Sequence, residues 1–308
     1  MEIDMNQRPT NPFDKKLDSL FLRFLYRKHI GAPLRFLLTR RFVSDLGGAY
    51  MNSRLSRRRI PRFIQENSIQ MDDYETREYT SFNDFFTRKI LPGKRPFSFD
   101  PTDLCSPADS RLSVFSGSDQ GTFTVKGTPY TLDELIQNSA LAKEFQSAYI
   151  LVFRLCVDDY HRYAYIDDGT VTIPPRYIPG AFHTVRPIAF TDNRRVFCRN
   201  AREITVLETK NFGKVLQIEV GAMMVGRIVN HNITEYKRGD EKGYFAFGGS
   251  TVILVIKKMR SISILAFSKI PVRDWKHGYS AVKRSDKHPI QRRYNNETIY
   301  PIRRYTFT

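Results

Sequence analysis

An acid, an imidazole and a hydroxyl stand at three separated places in this 308-residue chain. Asp109 sits two residues after a proline in the turn-like stretch Ser-Pro-Ala-Asp-Ser at 106–110. His161 lies between Tyr160 and Arg162, just past an apolar run, and Ser250 follows Gly248 and Gly249 and opens another. These are the parts of an activated nucleophile: the carboxylate orients the ring and the ring removes the hydroxyl proton. Chain order does not bring them together, and each has a plainer role open to it. Ser250 can simply begin a strand, His161 can be a satisfied core residue, and Asp109 can make an Asx turn. The two glycines ahead of the serine are harder to dismiss, because no further glycine frames the serine as a nucleophile elbow.

The elements that would position these residues are mostly strands. From about residue 100 the stretches 111–117, 121–127, 148–155, 164–173, 202–209, 213–229 and 250–256 are β-branched or alternating, bounded by Gly, Asp or Asn. One helix is predicted over 131–145, where Thr131 caps and Glu134 completes a capping box. No strand–helix alternation carries a phosphate-binding glycine loop, which argues against a doubly wound nucleotide fold. The expectation is an α+β protein with a mostly antiparallel, sandwich-like β core and an N-terminal amphipathic helical segment.

Charge divides the chain in three. The net charge is +17. Residues 1–65 hold 14 Lys and Arg against five Asp and Glu, and residues 259–308 hold 11 against three, so the part from 66 to 258 is neutral. In the first part Leu17, Leu20, Phe21, Phe24 and Leu25 recur at helical spacing among Lys16, Arg23 and Arg27. After Gly31 and Pro33 the pattern resumes with Phe36, Leu37, Phe42 and Val43 beside Arg35, Arg40 and Arg41. Two short amphipathic helices with cations at the edge of the apolar stripe suit an anionic membrane surface; packing on the protein's own core is the alternative. The neutral middle, without basic–aromatic interleaving, argues against a nucleic-acid partner. Cys105, Cys156 and Cys198 have no metal or redox spacing and read as reduced thiols, so no metal is expected.

Six pieces, in order, carry a resemblance. The stretches 81–97, 107–110, 159–171, 193–197, 220–228 and 242–254 together resemble the pyruvoyl-dependent phosphatidylserine decarboxylases, with the likeness running from about residue 20 to Lys258. The resemblance implies self-cleavage between Gly249 and Ser250, leaving a pyruvoyl group derived from Ser250 as the cofactor, without metal or nucleotide. It implies Asp109, His161 and Ser250 as catalytic residues, and glycines at 248 and 249 would permit the strained backbone such a cut requires. A β chain of 1–249 and an α chain from 250 would remain together, with a homodimer open. Phosphatidylserine would be bound through a Schiff base and converted to phosphatidylethanolamine and carbon dioxide. The implied location is peripheral, on the cytoplasmic face of the cell membrane. Tyr160, Arg162 and His183 are candidates for substrate contact.

Departures from the family are also legible. Many members carry a second histidine where this chain has Ala164, and a glycine where it has Ser110. The tail from Met259, strongly basic and bearing Trp275, departs completely. Loss of one adenine in the codons of Lys257 and Lys258 would account for it, since the restored frame allows a family-like terminus. Domains are therefore expected at 1–65 (membrane-associating), 66–258 (catalytic) and 259–308 (atypical, frame-shifted). The alternative function is an unprocessed, inactive homologue that binds anionic lipid.

Overall fold

The computed structural model describes residues 20–27, 31–94, 97–98, 100–101, 103–125, 127–185, 189, 195–223, 227–247 and 250–258, with strands at 262–266, 281–283 and 303–307. Gly248 and Gly249 lie outside the described residues, as do residues 1–19 and most of the tail.

Where two amphipathic helices were expected before residue 50, three occur: α1 (Leu20–Arg27), α2 (Ala32–Leu38) and α3 (Arg41–Asn52). The basic stretch that follows is not a simple turn; it forms a 3-10 helix, Arg54–Arg59, and α4 (Ile60–Asn67), with Pro61 in the first turn where its missing N–H costs nothing. The short helix α5 (Phe82–Phe86) is capped by Ser81, whose hydroxyl accepts the Asp84 N–H at 3.1 Å. The single helix expected over 131–145 is two, α6 (Leu132–Ile136) and α7 (Ser139–Glu144), because Gln137 turns left-handed at φ 49° and Asn138 caps a new start. The Thr131 cap is present, accepting the Glu134 N–H at 3.1 Å. The Glu134 carboxylate instead pairs with Arg195, just ahead of α8 (Val196–Arg199).

A seven-stranded antiparallel sheet forms the body. In spatial order it runs β11 (Glu235–Tyr236), β7 (Gly169–Ile178), β8 (Arg202–Thr209), β9 (Gly213–Val220), β13 (Ser250–Ile256), β5 (Tyr149–Leu155) and β2 (Arg111–Ser116). All seven residues of β13 are buried, as its place between β9 and β5 requires. A smaller sheet, β10 (Ile228–Asn230), β12 (Glu241–Phe245) and β6 (Arg162–Ala164), meets the larger one through side chains of β10 and β12. The join is polar. Lys242 Nζ, fully buried, pairs with Glu219 Oε1 at 2.9 Å and donates to Asn230 Oδ1 at 2.6 Å, while Asn230 Nδ2 donates to Glu203 at 2.7 Å. Two further sheets complete the β structure: the hairpin β3 (Thr122–Val125) with β4 (Thr128–Thr131), and β1 (Asp103–Cys105) with three tail strands, Ala281–Lys283, Ile262–Ala266 and Arg303–Phe307.

Two apolar clusters fill the interior. The larger lies about the main sheet. The smaller is aromatic and runs from Met51 and Ile60 through Tyr74, Tyr79, Phe82, Phe85 and Phe86 to Tyr160, with Phe247 packed against it. It thus joins residues on both sides of position 65.

Candidate active site

Strand register gathers the expected residues at one end of the main sheet. Ser250, first in β13, faces Leu155, last in β5, and Thr251 faces Val220, last in β9. Arg111, first in β2, faces Arg154. Asp109 therefore lies two residues before one strand at this end, and His161 six residues after another. Ala164 N–H donates to the Pro107 carbonyl at 2.8 Å, tying the segment after His161 to the Asp109 turn.

The His161 ring is fully buried and packs on Phe86 with centroids 4.0 Å apart. Its Nδ1 lies 2.8 Å from the Asp159 carbonyl. A carbonyl can only accept, so Nδ1 carries the proton and Nε2 holds the bare lone pair of a neutral ring. The orienting role expected of Asp109 thus falls to a backbone oxygen. The physical reason is the turn itself: Asp159 Oδ2 accepts the Cys156 N–H at 2.6 Å, which folds 156–159 back and aims the Asp159 carbonyl at the ring. Burial lowers the His161 pKa to about 3, against the pull of that carbonyl, and the charge of Arg88 adds to the lowering. Burial, with the neighbouring charge of Asp158, raises the Asp159 carboxyl well above its usual range.

Ser250 is fully buried, and its Oγ has no hydrogen-bond partner. The same is true of His161 Nε2, so hydroxyl and base are not bonded to each other in this state. Arg88, in the same region, is fully buried as well, with no partner at Nε or Nη1 and only two long bonds at Nη2. Unsatisfied buried donors are costly, on the order of 1–3 kcal/mol each, so such a set calls for a reason.

The expected substrate contacts differ in availability. Tyr160 OH accepts the Ile90 N–H at 3.4 Å, and its ring is part of the aromatic cluster. Arg162 is committed to the Thr87 carbonyl, at 2.7 and 3.0 Å, and to Glu241 at 2.7 Å. His183 is different. Half-buried, with Nδ1 3.4 Å from Tyr26 OH, it lines a cavity of about 700 Å³ with Arg35, Phe36, Arg40, Arg41 and Arg199. Asn200, fully buried, holds this loop in place: its Oδ1 accepts the His183 N–H at 3.0 Å and its Nδ2 donates to the Gly221 carbonyl at 2.8 Å. Gly180 is needed here because a Cβ would overlap the Arg199 carbonyl. Residue reasoning missed Asp159, Asn200 and Arg88. Only Arg88 had a signal, as the lone cation in the aromatic run Phe-Asn-Asp-Phe-Phe-Thr-Arg. Among the described residues no His, Cys, Asp and Glu stand grouped to hold a metal ion.

Fold and site define an α+β protein with a buried serine heading a central strand and an unprotonated imidazole nitrogen at the same end of the sheet. The sequence profile of the phosphatidylserine decarboxylase family matches residues 82–273. Phosphatidylserine decarboxylase proenzyme 2 of Clostridium acetobutylicum is 46% identical over 247 residues, covering 80% of this chain and 84% of that protein. The phosphatidylserine decarboxylase proenzymes of Clostridium perfringens and Ruminiclostridium cellulolyticum are 39% and 40% identical over 264 residues, covering 83% of this chain and 90% and 88% of theirs. The chain belongs to the phosphatidylserine decarboxylase family.

Proposed function

We propose that the chain is a proenzyme that cuts its own backbone between Gly249 and Ser250 and then converts phosphatidylserine to phosphatidylethanolamine and carbon dioxide at a membrane surface. The observation that carries this reading is the Ser250 hydroxyl, buried at the head of a central strand with nothing to bond to. A serine that merely begins a strand would be expected to satisfy its hydroxyl. Here Oγ attacks the Gly249 carbonyl, His161 Nε2 takes its proton and the departing Ser250 nitrogen receives one, which turns the amide into an ester. Loss of the Ser250 Cα proton then expels Gly249 as a carboxylate, and water releases ammonia from the new chain start.

The pyruvoyl group formed there supplies an electrophilic carbonyl that engages an amine and accepts the electrons left by departing carbon dioxide. The orphaned Ser250 and His161 atoms fit the making of such a group, since the free hydroxyl and the bare lone pair are the two that the first step uses. His161, neutral at working pH, can accept a proton at Nε2 and return it. Asp109 stays a candidate for the same end of the sheet, acting other than through the ring's Nδ1. His183 is the proposed head-group contact, facing the arginine-lined cavity. Residues 1–65 are the proposed membrane-associating part, 66–258 the catalytic part, and 259–308 an atypical, frame-shifted tail, although the family profile reaches residue 273. Among the described residues no helix is long and apolar enough to cross a membrane, which accords with peripheral attachment.

A second reading, an unprocessed lipid-binding homologue, is favoured by the missing hydrogen bond between Ser250 and His161. Intact mass of the purified protein separates the two. Two chains that divide at 249/250 are expected, with Ser250→Ala remaining whole. A Ser250→Ala protein that is still cut removes the first reading.

A further inference from the structure

Arg88 heads the largest side chains that the described residues fully enclose. Its Nη2 makes two long bonds, to Tyr74 OH at 3.3 Å and the Asp158 carbonyl at 3.4 Å, and Nε and Nη1 make none. Among the described residues no Asp or Glu forms an ion pair with it. The same fold holds another buried arginine very differently. Arg202, also fully buried, donates to the carbonyls of Leu135, Glu134, Cys198 and Asn200 at 2.7–2.9 Å. A structural arginine in this protein is thus saturated, whereas Arg88 is not.

Its surroundings sharpen the contrast. The guanidinium carbon stands 4.3 Å from the Tyr74 ring centroid and 4.9 Å from that of Phe85. Phe86, two residues before it, carries the His161 ring, so the cation belongs to the wall of the candidate active site. Aromatic walls lower the local dielectric, and an anion that reached this cation would be held strongly.

We infer that Arg88 is the receptor for the phosphodiester of the substrate head group. The inference rests on the reading that the substrate is phosphatidylserine, and it deepens that reading by giving the head group an anchor. Two anions lie close to the reacting carbon of such a lipid: the carboxylate on that carbon and the phosphodiester one methylene away. The carboxylate loses its charge as it leaves as carbon dioxide, so a cation placed on it would favour the ground state over the transition state. The phosphodiester keeps its charge throughout, and a cation can hold it at no cost to the chemistry.

The test uses the full-length chain as purified and three soluble probes: glycerophosphoserine, glycerophosphoethanolamine and serine. Thermal unfolding is followed for the wild type, Arg88→Met and Arg88→Lys. Both glycerophospho compounds are expected to raise the wild-type Tm and serine is not. Arg88→Met should melt at or above the wild type, since an unpaired buried charge has been replaced by an apolar chain of similar length, and should lose the ligand shift. Arg88→Lys should retain part of the shift. The inference is overturned if Arg88→Met shifts like the wild type, if neither glycerophospho compound moves the wild type, or if serine alone reproduces the shift. It is equally overturned if Arg88→Met and Arg88→Lys both melt far below the wild type, because the cation would then be a structural strut. Intact mass keeps this outcome apart from the function proposed above: an uncut chain that still binds through Arg88 sinks self-cleavage and leaves the receptor standing.

Discussion

A histidine that stays neutral in the fold but protonates in the unfolded chain makes stability depend on pH. The folded pKa of His161 is about 3, against 6.5 for an ordinary imidazole. Between those values the unfolded chain binds a proton that the folded chain refuses, so His161 costs stability as pH falls below 6.5, at about 1.4 kcal/mol per unit. Asp159 works in the opposite sense, and comparison with a variant cancels it. Going from pH 7 to pH 5, the wild type should lose about 2 kcal/mol relative to His161→Asn in urea unfolding. An unchanged gap would mean that the ring is solvated. At this scale the sequence named Ser250, His161 and Asp109 by type and order. It did not reveal what holds the ring, because the acceptor is a main-chain oxygen that any residue at 159 would present. Nor did it reveal that Arg88 lacks a partner, since pairing is a property of the packed state.

Among the elements, α2, α3 and the 3-10 helix Arg54–Arg59 expose large apolar side chains. Phe36, Phe42, Leu46 and Leu55 are more than half exposed, at 62%, 54%, 66% and 65%, and Leu34 and Leu37 stand beside them. Arg40 lies over the Phe36 ring at 3.6 Å, and Arg41 lies near Tyr177. A patch of this kind on a folded protein marks an interaction surface, and its arginine rim suits anionic lipid. Phe42→Glu with Leu46→Glu should sharply reduce pelleting with phosphatidylserine-containing vesicles while shifting Tm little, because both side chains are already in solvent. Equal pelleting would assign the surface to another partner. Strands 202–209 and 250–256 were read at their observed bounds, since central strands give unbroken or alternating apolar runs. By contrast β12 escaped notice: Glu-Lys-Gly-Tyr-Phe looks like a solvated turn, yet Lys242 is buried against Glu219. The run 213–229 was read as continuous, but β9 ends at Val220 and Ile228–Asn230 belongs to a separate strand, β10, paired with β12 in the smaller sheet.

At the level of the whole molecule, Asn200 ties the His183 loop to the end of β9, bonding to His183 on one side and Gly221 on the other. Cleavage at 249/250 would leave the small chain held by two pairings, a short one between Ala281–Lys283 and β1 and a long one through β13. The long one dominates: β13 pairs with β5 over seven residues and with β9 over six, every side chain buried. Its Val252, Ile253, Leu254, Val255 and Ile256 bury about 1.5–3 kcal/mol each in apolar surface, so the strand alone contributes roughly 10 kcal/mol before ordering costs. A strand ladder on both sides also removes any free edge from which the small chain could peel. The cut protein should therefore run as a single species on gel filtration, with both chains in one peak. The small chain should separate only in denaturant strong enough to unfold the sheet. Its escape under native conditions would show that the uncut backbone, rather than β13, holds the two parts together.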